Sequence, residues 1–191
     1  MSNKYPNVML DIETMGNRPT SAIIEIGACI FDSKRGITKK FNSMISLETC
    51  IDAGLTMDAS TVLWWMKQKW DARKRYVGNE MAPPIEIVLH RFREWMPEKA
   101  LVWGNGSDFD NVILTNAYRA IGQVRPWPDY HDRCFRTLKN LYPRVKPPKR
   151  EGVHHSALDD AIHQAKWFMK IFGKEITNEL SEESPSITSM L

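Results

Sequence analysis

Val8-Met9-Leu10-Asp11-Ile12-Glu13-Thr14 is a short apolar run that carries two acids, and its reading decides the fold. As a β-strand it sends successive side chains to opposite faces. Val8, Leu10 and Ile12 then share one face, and Met9, Asp11 and Glu13 the other. Two carboxylates stand side by side at the end of a strand that the apolar residues drive inward. Buried ionised carboxylates are costly unless neutralised. A shared proton or a divalent cation is the usual remedy.

The rest of the composition fits a single globular unit. The chain has 191 residues, 42% of them hydrophobic and 26% charged, with a formal net charge of +3. A length of that order buries a substantial core. The isoelectric point near 8.7 leaves room for a local basic face, while the small net charge excludes a general polycation. Cys29, Cys50 and Cys134 form no CxxC pair and no zinc spacing, which predicts buried, reduced thiols. No apolar run has the length of a membrane span, and Met1 to Asn7 is polar. A soluble, cytoplasmic protein that meets no membrane is expected.

Outward from the acid-bearing strand, Ile23 to Ile30 alternates as a second strand, Lys34-Arg35-Gly36 turns, and Phe41 to Leu47 reads as a third. Short turns between the three predict an antiparallel meander. Asp58 or Ser60 can cap a helix containing Val62, Trp65 and Met66. Pro83-Pro84 opens another, with Ile85, Val88, Leu89, Phe92 and Trp95 on one stripe. Leu101-Val102-Trp103 is a short buried strand, followed by a Gly-rich loop and a helix with Val112, Ile113, Ala117 and Tyr118. Tyr130-His131-Asp132 predicts a strand end, and Arg133 to Leu141 a helix. Arg133 and Arg136 can meet phosphates, or Asp132 can cap that helix and pair with Arg136. Lys139 to Arg150 is a basic, proline-bearing loop suited to a phosphate backbone. Ser156 caps a long helix with Leu158, Ala161, Ala165 and Phe168 on its apolar stripe, and Gly173 fits as its stop. The pattern predicts a mixed α/β fold. One domain over residues 1–173 carries a polar tail over 174–191.

Four acidic positions compete to complete one site: Asp11, Glu13, one of Asp108 and Asp110, and one of Asp159 and Asp160. Any one of them alone is common; an Asp near a helix start needs only a cap or the helix dipole to explain it. Their fixed order, ending in a histidine five residues before an aspartate, is far more specific.

Asp11-x-Glu13, Phe109-Asp110 at the head of a helix, and His155-Ser-Ala-Leu-Asp159-Asp160 resemble the three motifs of the DEDDh 3′–5′ exonucleases. Ser60-Thr-Val-Leu-Trp-Trp65, Trp103-Gly-Asn-Gly-Ser-Asp-Phe-Asp-Asn111 and Asp132-Arg-Cys-Phe-Arg-Thr-Leu138 resemble the branch that includes T-even phage exonuclease A and mycobacterial ribonuclease AS. The resemblance spans roughly Pro6 to Phe172. It implies a ribonuclease-H-like mixed β-sheet flanked by helices. It also implies a metal-dependent hydrolase that takes nucleotides from single-stranded DNA or RNA 3′ ends as nucleoside 5′-monophosphates.

On that resemblance Asp11, Glu13, Asp110 and Asp160 hold two Mg²⁺ or Mn²⁺ ions, about 4 Å apart in such sites, and His155 is the general base. Thr14, Met15 and Gly16 contact the terminal nucleotide, with Trp103 and Asn105 lining the same cleft. His154 is a loop residue or a phosphate contact. Asp159 pairs with His163 one helical turn on. DNA is favoured over RNA, and an exoribonuclease is the alternative. A homodimer through the aromatic region around Trp64 is admissible. A catalytically silent nucleic-acid-binding module is the reading from another class, and it has no need of four clustered acids.

Overall fold

A computed structural model describes residues 5–182 of the chain. β1 (Asn7–Thr14), β2 (Ile23–Asp32) and β3 (Gly36–Met44) form the antiparallel meander. β4 (Leu101–Gly104) and β5 (Asp132–Cys134) extend the sheet in parallel on the other side of β1. The sheet order is β3-β2-β1-β4-β5, so the acid-bearing strand is the middle one. Among the described residues the helices are α1 (Leu47–Asp52), α2 (Ala59–Lys67), α3 (Trp70–Arg73), α4 (Ile85–Trp95), α5 (Asp110–Ala120), α6 (Phe135–Leu141) and α7 (Ala157–Glu182).

The alternation in β1 builds two cores. Val8, Leu10 and Ile12 belong to a cluster with Val88, Leu89 and Phe92 of α4 and Ile113 and Leu114 of α5. In the second cluster Met9 meets Cys29 and Phe31 of β2, Phe135 of α6, and Ala161, Ala165 and Phe168 of α7. A central strand covered on both faces is driven by apolar burial at roughly 25 cal/mol per Å². Asp11 and Glu13 share the Met9 face, and so lie on the α7 side just beyond the apolar stretch.

One glycine sets how near α7 comes. Gly27 of β2 is the register partner of Asp11. A Cβ there would stand 2.0 Å from the Leu158 nitrogen and 2.1 Å from the Ala157 carbonyl carbon. Only a residue without a side chain lets the first turn of α7 lie on the sheet at this point. That approach lets Gln164, further along α7, donate to Asp11 Oδ1 at 2.8 Å.

Several expectations are revised. The third strand ends at Met44, and Leu47 begins α1, because Ser46 accepts from the Thr49 N–H at 3.4 Å and caps it. Asp58 precedes α2 without a side-chain cap; its carboxylate accepts from Asn17 N–H at 3.1 Å and pairs with Arg18 at 3.3 Å. Asp132 takes Arg125 at 2.9 Å, the Trp127 indole at 2.8 Å and the Asn111 amide at 2.9 Å, in place of Arg136. The α6 cap is the sulfur of Cys134, which accepts from Thr137 N–H and is half-buried, whereas Cys29 and Cys50 are buried. Asp159 accepts the Val153 N–H at 2.8 Å, closing the loop before α7 instead of pairing with His163. Gly173 does not stop α7, which continues to Glu182; the end of the expected tail, 183–191, lies outside the described residues.

Gly27→Ala should cost about 1–3 kcal/mol of stability, as overpacking of a filled interior does. Urea unfolding checks this, and a variant with the wild-type midpoint would contradict the close approach of α7.

Candidate active site

Asp11 and Glu13 end the apolar part of β1, and other elements bring side chains to them. Asp110 is the first residue of α5 and is buried, whereas Asp108 is exposed, so the fold turns Asp110 inward. Its Oδ1 accepts from Ile12 N–H of β1 at 3.3 Å and its Oδ2 from Asn105 N–H at 2.8 Å. Gly104 permits this, since a Cβ there would stand 3.0 Å from Asp110 Oδ2. From α7, Asp160 accepts from His155 N–H at 3.0 Å and forms an ion pair with Arg150. His155 itself has φ 61°, the left-handed region that non-glycine residues rarely adopt. Its ring meets the Trp64 ring edge-on at 4.8 Å.

Ligand atoms of Glu13, His155 and Asp160 lie within 4.8 Å of one another, a candidate metal site. Asp11, Asp110, Asn105, Arg136 and Gln164 line the same open cleft, of about 300 Å³.

The electrostatics follow from this crowding. Burial raises the Asp11 pKa well above the ordinary carboxylate value, and Asp110, Glu13 and Asp160 raise it further; the Gln164 amide opposes them. Asp110 is pushed up to about 6 by burial, against the opposing backbone N–H groups of Asn105 and Ile12 and the charge of Arg136. His155 is held below the ordinary imidazole value, first by burial and then by His154 and Arg150, while Asp160 works the other way. Among the described residues, the guanidinium groups of Arg150 and Arg136 stand beside four carboxylates. Hard oxygen donors with surplus negative charge suit hard divalent cations.

Asn105 lines this cleft, and the other predicted substrate residues are dispersed. Met15 lines a separate, apolar pocket of about 250 Å³ with Val62, Trp65 and Tyr76. Thr14 turns its hydroxyl to the Gly16 carbonyl at 2.6 Å, and its own carbonyl accepts the Trp65 indole at 2.9 Å. Gly16 is a packing position, since a Cβ would stand 2.4 Å from Ser21 Oγ. Trp103 lies outside the cleft lining: its indole donates to Asn7 at 3.0 Å and its ring packs on Phe168 at 4.8 Å. His154 lines the cleft beside His155. Of the basic loop, Arg150 turns inward to Asp160, while Arg144 and Lys149 are exposed. Gln164 was missed, although its i, i+4 spacing from Asp160 places it on the acid face of α7.

Asp110 binds its proton more tightly folded than unfolded, with a value of about 6 against an ordinary 3.8. Its contribution to stability is full below the unfolded value and is lost as pH rises through the folded one. Without divalent cations, Asp110→Asn should therefore gain in thermal midpoint over wild type as pH is raised through about 6. A midpoint difference that stays constant across that window would contradict the burial of this acid.

The family model described as 3′–5′ exoribonuclease Rv2179c-like domain matches residues 6–172. The exodeoxyribonuclease of Enterobacteria phage T4 is 25% identical in an alignment 129 residues long that covers 61% of this chain and 57% of the phage protein. The chain thus spans little more than half the length of that curated relative. Among solved structures, E. coli Exonuclease I in complex with a dA16 oligonucleotide superposes with a TM-score of 0.62 at 15% identity, over 94% of this chain and 43% of that one. Exonuclease X in complex with 5′ overhanging duplex DNA gives 0.54 at 17% identity, over 87% and 91%. Cell-death related nuclease 4 gives 0.56 at 14% identity, over 88% and 64%. These likenesses show the fold, a ribonuclease-H-like mixed sheet flanked by helices. With its match running from residue 6 to residue 172, the chain belongs to the Rv2179c-like 3′–5′ exoribonuclease domain family.

Proposed function

We propose that this chain is a 3′–5′ exonuclease of the DEDDh type that shortens single-stranded nucleic acid and releases nucleoside 5′-monophosphates. One observation carries the reading: Asp11, Glu13, Asp110, Asp160 and His155 converge on a single open cleft. Asp11, Glu13 and Asp160 would hold one Mg²⁺ or Mn²⁺ ion, and Asp110, with Asp11 shared, a second. When bound, such a pair neutralises the phosphate and acidifies the attacking water.

The remaining work falls to the chain's own groups. His155, kept neutral by its surroundings, takes the proton from the attacking water. The water oxygen bonds to phosphorus as the bond from phosphorus to the 3′ oxygen breaks; that oxygen takes up a proton from solvent, and the shortened strand leaves with a 3′ hydroxyl. Arg136 lines the cleft near Asp110 and offers a guanidinium to the phosphate. An end splayed out of a duplex reaches such a cleft more readily than a paired one.

DNA is the favoured substrate, supported by the phage relative's name. The family description names an exoribonuclease and supports RNA as the second reading. The same proposal places the enzyme in the cytoplasm, in keeping with three free cysteines. It allows a homodimer through exposed Leu63, Trp64 and Met66. Among the described residues no helix is long and apolar enough to cross a membrane.

Matched DNA and RNA oligonucleotides labelled at the 5′ end, incubated with Mg²⁺, Mn²⁺ or EDTA, test the reading. A cation-dependent ladder shortening from the 3′ end is expected, and the faster substrate assigns the sugar. Retained binding without any ladder would move the chain to the silent binding class. His155→Ala should lose roughly 10²–10⁴-fold in rate. The wild-type rate should fall on the acid side, with the limb below the ordinary imidazole value, because a protonated His155 cannot accept the proton.

A further inference from the structure

The left-handed backbone at His155 has to be held by something, and the contacts that hold it lead away from the acid cluster. The His155 carbonyl accepts from the Tyr76 hydroxyl at 3.2 Å. The same hydroxyl lies 3.0 Å from Glu25 Oε2, and that oxygen also accepts the Ala157 N–H at 3.3 Å. Glu25 is fully buried on β2. The residues flanking Ser156 are thus fastened to one buried carboxylate and one phenol. Tyr76 is fixed in turn, its ring edge-on to Trp65 at 4.9 Å, and Trp65 donates to the Thr14 carbonyl at the end of β1. The Trp64 and Trp65 rings wall the imidazole at 4.8 and 6.0 Å.

We propose that Tyr76 is a positioning residue for His155: its hydroxyl, shared between Glu25 and the His155 carbonyl, holds the imidazole beside Glu13 and Asp160. Tyr76 is not among the residues lining the acid cleft, so it acts through His155 and not on substrate. The segment that carries it, Lys74–Tyr76, follows α3, and Tyr76 lines the apolar pocket with Met15 and Trp65. The orientation of His155 therefore depends on the seating of a stretch remote in sequence. The inference rests on the exonuclease reading for what His155 does, but not for where it sits.

Tyr76→Phe in the full chain removes one oxygen and keeps the ring. In proton–nitrogen spectra of the cation-free protein, the His155 imidazole signals are identified by their loss in His155→Ala. They should shift and broaden in Tyr76→Phe while those of His90 and His131 stay put. Turnover of an oligonucleotide should fall about 3- to 10-fold in kcat, the scale of one lost hydrogen bond, with KM within about twofold of wild type. Unmoved His155 signals, or a drop seen only in KM, would overturn the proposal. A wild-type chain that shortens no oligonucleotide would defeat the exonuclease reading instead, and the imidazole spectrum then decides the role of Tyr76 alone.

Discussion

Mutual repulsion among four carboxylates is the constraint on which the site depends. Asp11 feels Asp110, Glu13 and Asp160 at once, and burial raises its pKa more than any of them does. Nothing in apolar packing favours such a cluster. Two of the acids are clasped by backbone donors: Asp110 by Ile12 and Asn105, and Asp160 by His155. Backbone N–H groups orient the oxygens without cancelling their charge, and the two guanidinium groups of Arg150 and Arg136 are fewer than the four carboxylates they stand beside. A fold that fixes acids and leaves them under-neutralised is arranged to receive cations.

The scaffold meets this demand with two close approaches. Gly27 admits the start of α7 to the sheet opposite Asp11, and Gly104 admits Asp110 to the end of β4. With a side chain at Gly27, α7 would have to stand off and Asp160 would be withdrawn from β1, whereas a Cβ at Gly104 would press on the Asp110 carboxylate itself at 3.0 Å. The apolar faces of the two helices complete the placement. Ile113 and Leu114 join the core under Val8, Leu10 and Ile12, while Ala161 and Ala165 join the one with Met9. The site is thus assembled between the two cores, at the point where β1 changes from apolar to acidic.

Much of this was legible in the sequence. The period-2 alternation from Val8 to Glu13 separates the two cores, because a central strand leaves both faces to be covered. The family resemblance favours Asp110 over Asp108, and only the fold supplies a physical reason to separate them: the exposed member can be solvated, while the helix-starting one meets two backbone donors. The expectations that failed have a common cause. Asp132, Asp159 and Gly173 were assigned by local rules of capping, helical spacing and helix termination, and the surrounding structure decided otherwise. Arg125 reaches Asp132 across a proline-bearing loop, a pairing that no helical spacing predicts. Tyr76 and Glu25 lie 51 residues apart, and their meeting at His155 left no trace in any local pattern.

The central claim is that the four acids form one cation-holding centre. Calorimetric titration of the cation-free protein with Mn²⁺ at neutral pH tests it most directly, because it needs no substrate. Two ions bound per chain are predicted for wild type, as in other paired-ion sites, and Asp11→Asn should abolish at least one of them. No binding to wild type, or an unchanged isotherm in Asp11→Asn, would contradict the account.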